Sequence, residues 1–241
     1  MKHLTLIKGG LQNGVIDTEI SIADIFENVM NKKIAIIKGV FPAADARRLR
    51  DLAFQWGLGQ SISQSGDFYN QGKKNNFYKQ QGISKIQKTL HYYRTHNFNN
   101  YDELNNDELE ELLTNFFTPL KNFYNVLTGN TADFIGEHKI IHPEIIHYPS
   151  GGGFFAKHFH SLEPQRIGMI VSLSKYGEDY NSGGTGFEVD GDIVDSEKYH
   201  DIGDIVLFRY DLGHWVSPCD IEEAMDASSP RGRWTLILPY Y

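Results

Sequence analysis

His158 and His160 stand two residues apart in GGGFFAKHFHS (151–161), directly behind three consecutive glycines. In an extended strand, side chains at i and i+2 leave the same face, so the two imidazoles can reach a single point. Imidazole is the commonest metal ligand, which makes a metal ion the natural occupant of that point. The chain has ten histidines, so spacing alone also leaves an ordinary structural pair open. Two further groups follow. His214 lies in GDIVLFRYDLGHWVSP, where a strand restarts after a turn. Arg233 and Thr235 in RGRWTLILPYY are again two apart and share a face, and a guanidinium beside a hydroxyl forms a fork suited to a carboxylate. The order along the chain is therefore two close histidines, one distant histidine, then a carboxylate clamp.

The elements that must position these groups change character near residue 140. From Glu144 onward EIIHY, RIGMIVSLS, TGFEV, DIVLF, HWVS and RWTLILPYY read as six short strands between glycine-rich or polar turns, which predicts an antiparallel sandwich or barrel over 141–241. Residues 1–140 read as mainly helical. After a β-rich run, Ile34 to Val40, Pro42 suits a first helical turn, and Ala46, Leu49, Leu52, Ala53 and Trp56 recur at helical spacing until Gly57. A second helix, from about Asp102 to Leu127, carries Leu109, Leu112, Leu113, Phe116, Leu120, Phe123 and Val126 on one stripe, with its acids as a solvated face and Pro119 expected to bend it. Between the helices, the stretch 58–100 holds a polar loop with Phe68, Tyr69, Phe77 and Tyr78, either a lid over a site or a surface insertion.

Composition sets the outer bounds. A chain of 241 residues with 40% apolar content can bury a full core, and one α+β domain over 1–241 is expected. A net charge of -8 offers no field for a phosphate backbone, so nucleic acid is not an expected partner. No signal-peptide run opens the sequence and nothing approaches 18 consecutive apolar residues, which predicts a protein without a membrane partner. Cys219 is the only cysteine; it excludes an internal disulfide framework and fits a cytoplasmic location.

Five stretches in this order resemble the Fe(II)/2-oxoglutarate oxygenases, in particular their prolyl-hydroxylase-like and phytanoyl-hydroxylase-like branches. HYPSGGGFFAKHFH is similar to that family's tyrosine, glycine and first-histidine segment, and EPQRIGMIVSLS to its third core strand. NSGGTGF resembles its Gly-Gly turn, GDIVLFRYDLGHWVSP the approach to its lone histidine, and RGRWTLILPY its closing strand. The resemblance covers about residues 140 to 241. It implies a double-stranded β-helix, a cupin-like jelly roll, with the histidine pair on the second core strand, His214 on the seventh, and Arg233 with Thr235 on the eighth. It further implies Fe(II), dioxygen, and 2-oxoglutarate held at its far carboxylate by Arg233 and Thr235, with Tyr148 near the oxoacid.

One position departs from the family, because the second member of the pair is His160 where the pattern has Asp or Glu. A neutral imidazole in place of an anion raises the charge of the metal site by one. Three readings follow: a three-histidine site of His158, His160 and His214, as in cupin dioxygenases that use no 2-oxoglutarate; a carboxylate supplied by Glu163 or Asp211; or a site that His160 has disabled. Glu163 is out of phase with the pair and Asp211 precedes the strand of His214, so the first ranks highest. The expected function is a non-haem Fe(II) oxygenase, 2-oxoglutarate-dependent, acting on a small molecule. The alternatives are a three-histidine dioxygenase without the cosubstrate, and a non-catalytic metal or small-carboxylate binder.

Other groups carry two readings each. Gly151 to Gly153 either admit a ligand to the backbone or form a bulge, Tyr148 is a site tyrosine or a core one, and GGTG at 183 to 186 lacks the spacing of a phosphate loop. Cys219 reads as an inert buried thiol, and Arg94 as a surface residue of a helix or loop rather than a carboxylate partner. Substrate, oligomeric state, and whether Arg231 or Arg233 is the clamp stay open at this level.

Overall fold

The computed structural model describes residues 2–60, 76–83, 89–101, 104–134, 141–226 and 228–240, with backbone only for 77–83. The C-terminal half supplies eight strands: β6 (Glu144–Pro149), β7 (Gly153–His158), β8 (Ile167–Ser172), β9 (Gly184–Val189), β10 (Asp192–Asp195), β11 (Ile205–Arg209), β12 (Gly213–Cys219) and β13 (Gly232–Ile237). They alternate between two sheets. One runs β6-β13-β8-β11 and the other β7-β12-β9-β10, all neighbours antiparallel. That alternation is the double-stranded β-helix. The six expected strands are all present, together with β7 and the short β10.

The N-terminal part adds strands to the expected helices. Among the described residues it contains three helices, α1 (Ile22–Met30), α2 (Ala43–Leu58) and α3 (Asp107–Thr128), and also five strands: β1 (Leu4–Gln12), β2 (Val15–Thr18), β3 (Ile34–Lys38), β4 (Phe77–Ile83) and β5 (Leu90–Asn97). Strand β3 pairs with β11 and in parallel with β1, which widens the larger sheet. Strand β5 joins the two sheets, since Arg94–Asn97 pair with β6 while His91 and Tyr92 pair with β7. Much of the expected lid, 61–75 and 84–88, lies outside the described residues; what is described of 58–100 includes two paired strands, β4 and β5. HYYRTH is thus a buried central strand and not surface.

Period-2 burial explains how one sheet serves two layers. Ile145, Val171, Leu207, Trp234 and Leu236 face the helices and pack with Leu49, Phe54, Leu113, Phe116 and Leu120 in the main core. Alternate residues, Ile146, Tyr148, Arg233, Thr235 and Ile237, line the space between the sheets. Trp234 marks the helical side: its ring stacks on His147 at 4.1 Å and meets Phe54 edge-on at 6.0 Å. Two of the helices are capped at their starts by side chains. Ser21 Oγ accepts from Asp24 N in α1, and Asn106 Oδ1 accepts from Leu109 N in α3, whose first turn holds Asp107, Glu108 and Glu110. Helix α3 runs on through Pro119 and ends at Gly129 in the left-handed region. None of the helices among the described residues is long and apolar enough to cross a membrane.

Candidate metal centre and carboxylate clamp

Strands β7 and β12 are antiparallel neighbours, and their register sets His158 directly opposite His214. His160 lies two residues beyond the end of β7. The ring centroids are 4.2 Å apart for His158 and His214, 4.9 Å for His158 and His160, and 5.2 Å for His160 and His214. One donor atom from each falls within 4.8 Å of the others. Nδ1 of His158 bonds to the Ala156 carbonyl at 2.9 Å, and Nδ1 of His214 to the Leu212 carbonyl at 2.9 Å. These bonds put the proton on Nδ1 and leave Nε2 as the converging atom, the arrangement by which a backbone carbonyl orients a metal-ligating imidazole. Phe155 stacks on His158 at 4.0 Å and Tyr210 on His160 at 4.2 Å, which fixes both rings.

Electrostatics agree with a metal role. Burial lowers the pKa of all three imidazoles, His160 to about 4, with the neighbouring histidines adding to the effect at His160 and His214. At neutral pH the trio is uncharged and presents lone pairs, as metal ligation requires. The donor set of three imidazoles fits a divalent first-row transition metal. Among the described residues the converging set contains no carboxylate. Asp211 is turned to Arg209, 2.8 Å away, and Glu163 is largely exposed beside Arg166.

All three histidines line a cavity of about 370 Å³ between the sheets, together with Tyr148, Arg233 and Thr235. The predicted residues therefore meet in one place. Tyr148 is buried, sits opposite Arg233 on the adjacent strand and lies 5.7 Å below its guanidinium; burial raises its phenol. Arg231 points outward to Glu223 at 2.9 Å and lies outside the cavity lining, so the arginine in the cavity is Arg233. Cys219 is buried and free, its thiol pushed up to about 12 by burial, consistent with the inert reading.

Sequence reasoning missed the partner of Arg233. Arg233 Nε donates to Glu197 Oε1 at 2.6 Å, and Nη2 to Thr185 Oγ1 at 2.6 Å. Glu197 is as buried as Arg233 and also accepts from Thr185 N at 2.6 Å and from the Tyr180 hydroxyl. Its second oxygen lies 3.3 Å from His200 Nε2, and His200 Nδ1 lies 2.6 Å from Ser172 Oγ. Burial alone would raise the Glu197 carboxyl, but Arg233 and His200 hold it well below the usual carboxylate range. Sequence signals for Glu197 were weak: an acid in an ordinary polar stretch, DSEKYH. The GGTG turn was the better clue, because Gly184 adopts φ +116 and a Cβ there would overlap the Glu197 side chain. Also unforeseen were His91 and Tyr93 on β5, which complete the aromatic wall with Phe155.

No protein-family model matches the sequence, and no curated protein is similar to it in sequence. Solved structures do share its fold. A prolyl-4-hydroxylase from Pseudomonas putida superposes with a TM-score of 0.58 at 14% identity, covering 91% of this chain and 98% of that one. The non-heme alpha ketoglutarate dependent epimerase SnoN from nogalamycin biosynthesis gives 0.54 at 11% identity, over 91% and 83%. An oxidoreductase of the 2OG-Fe(II) oxygenase family from Burkholderia pseudomallei gives 0.51 at 11%, over 98% and 95%. The chain thus has the double-stranded β-helix fold of the Fe(II)/2-oxoglutarate oxygenases.

Proposed function

We propose that this protein is a non-haem Fe(II) oxygenase with a three-histidine metal site, which uses 2-oxoglutarate and dioxygen to oxidise a small molecule. The carrying observation is the convergence of His158, His160 and His214 in the same cavity as the buried Arg233 and Thr235. When bound, the iron supplies dioxygen activation coupled to oxidative decarboxylation of the oxoacid. The protein's own part is positional. His158 and His214 are held by backbone carbonyls, Arg233 and Thr235 offer donors to a far carboxylate, and Tyr148 closes the floor beneath the guanidinium. His91, Tyr93 and Phe155 exclude water and favour a substrate with an apolar or aromatic body.

A second reading, direct substrate dioxygenation without 2-oxoglutarate, is favoured by one observation: Arg233 is already engaged by Glu197. Anaerobic addition of 2-oxoglutarate to the Fe(II) protein separates the two. The first expects a visible charge-transfer band and, on admitting dioxygen, succinate. Absence of both would leave the cosubstrate-free reaction as the better account.

A further inference from the structure

We infer that Glu197 is an internal counter-ion that replaces, at the clamp, the negative charge which His160 removes from the metal shell, and that it thereby weakens the grip of Arg233 on the acid. The inference rests on the oxygenase reading above. In the His-x-Asp pattern a divalent ion, one carboxylate ligand, one arginine and a dianionic oxoacid sum to zero. With three neutral imidazoles the same sum would leave one positive charge in a buried cavity, a costly arrangement. Glu197 restores the balance against Arg233, with His200, 3.3 Å from its second oxygen, counted as a neutral imidazole. It is fully buried, bonded to Arg233 Nε, and held by the Thr185 amide and the Tyr180 hydroxyl, so it stays an anion. The turn at Gly184 is shaped around it. A neutralised guanidinium attracts a dianion less than a bare one, and Nε and Nη2 are already bonded within the protein.

Glu197→Gln tests this by removing charge while keeping shape: the amide oxygen can still accept from Arg233 Nε and Thr185 N, and the amide nitrogen donates to a Tyr180 hydroxyl turned to accept. Calorimetry of 2-oxoglutarate binding to the anaerobic Fe(II) protein should show the variant binding at least tenfold tighter, about 1.4 kcal/mol, than the parent. Thermal melts without the acid should show the variant destabilised, because Arg233 is then buried without its counter-ion, and the acid should raise its melting temperature more than the parent's. Equal or weaker binding by the folded variant, with the parent binding normally, overturns the counter-ion role alone. Binding by neither overturns the oxygenase reading as well. Should E197Q not fold, Tyr180→Phe carries the test. It removes a donor to Glu197 and keeps both charges, so a less satisfied carboxylate holds Arg233 harder and binding weakens about threefold. Unchanged or tighter binding would contradict the proposal.

Discussion

At the scale of single residues the site is a set of convergent donors and one buried ion pair, and the two respond differently to substitution. Arg233 and Glu197 form a pair in which removing one partner strands the other charge; such losses cost about 3 to 5 kcal/mol. Arg233→Gln is therefore expected to lower stability by that order as well as to abolish tight binding of 2-oxoglutarate, both readable from melts with and without the acid. Arg231→Gln, on the exposed pair with Glu223, should change stability by less than about 0.5 kcal/mol and leave acid binding intact. The histidines, the arginine and the threonine were legible because strand period 2 fixes which side chains share a face. Glu197 was not legible: its role depends on the short turn after β10 bringing it against Thr185 of β9 and Arg233 of β13, a long-range contact that no local spacing encodes.

At the scale of elements, six of the eight core strands could be read from apolar runs and turns, and so could β3 in the β-rich run from Ile34, whereas the other N-terminal strands were not read. The segment LTLIKGGLQNGVID forms the β1–β2 hairpin, with Asn13 at φ 51 and Gly14 at φ 74 in its two-residue turn. Asn-Gly between apolar runs is a strong hairpin signal, so this hairpin is encoded locally. Strand β5 is different, because HYYRTH has too many polar residues to announce a buried strand; tertiary pairing on both sides overrides its composition. Gly184 is constrained by both its positive φ and the Glu197 side chain. Gly184→Ala should cost well over 1 kcal/mol, from left-handed strain and displacement of Glu197, and should perturb acid binding. Denaturant unfolding checks the first effect, and a parental midpoint would contradict it.

The whole molecule carries an acid sensitivity that follows from its buried histidines. Burial lowers His96 to about 3 and His147 well below its ordinary 6.5, so neither is protonated in the fold. Below pH 6.5 the unfolded chain binds protons that the folded chain refuses, and stability falls as pH falls, by at most about 1.4 kcal/mol per pH unit for each group. Glu197 has the depressed-carboxylate sign and adds only below its unfolded value of 4.5, so the histidines own the window between pH 6.5 and 4.5. The melting temperature of the metal-free protein should therefore drop steadily from pH 7 to 5, and His96→Gln should flatten that slope. A melting temperature constant across the range would contradict the buried, neutral assignment.

The central claim is that three imidazoles, and not two imidazoles with a carboxylate, hold the metal. Iron content after anaerobic loading with Fe(II) and desalting, compared across the parent, His158→Ala, His160→Ala and His214→Ala, tests it most directly. The account predicts one equivalent of iron in the parent and loss of tightly held iron in each of the three variants. Stoichiometric iron in His160→Ala would contradict it, and would mean that the metal is held without the residue that sets this chain apart from the His-x-Asp pattern.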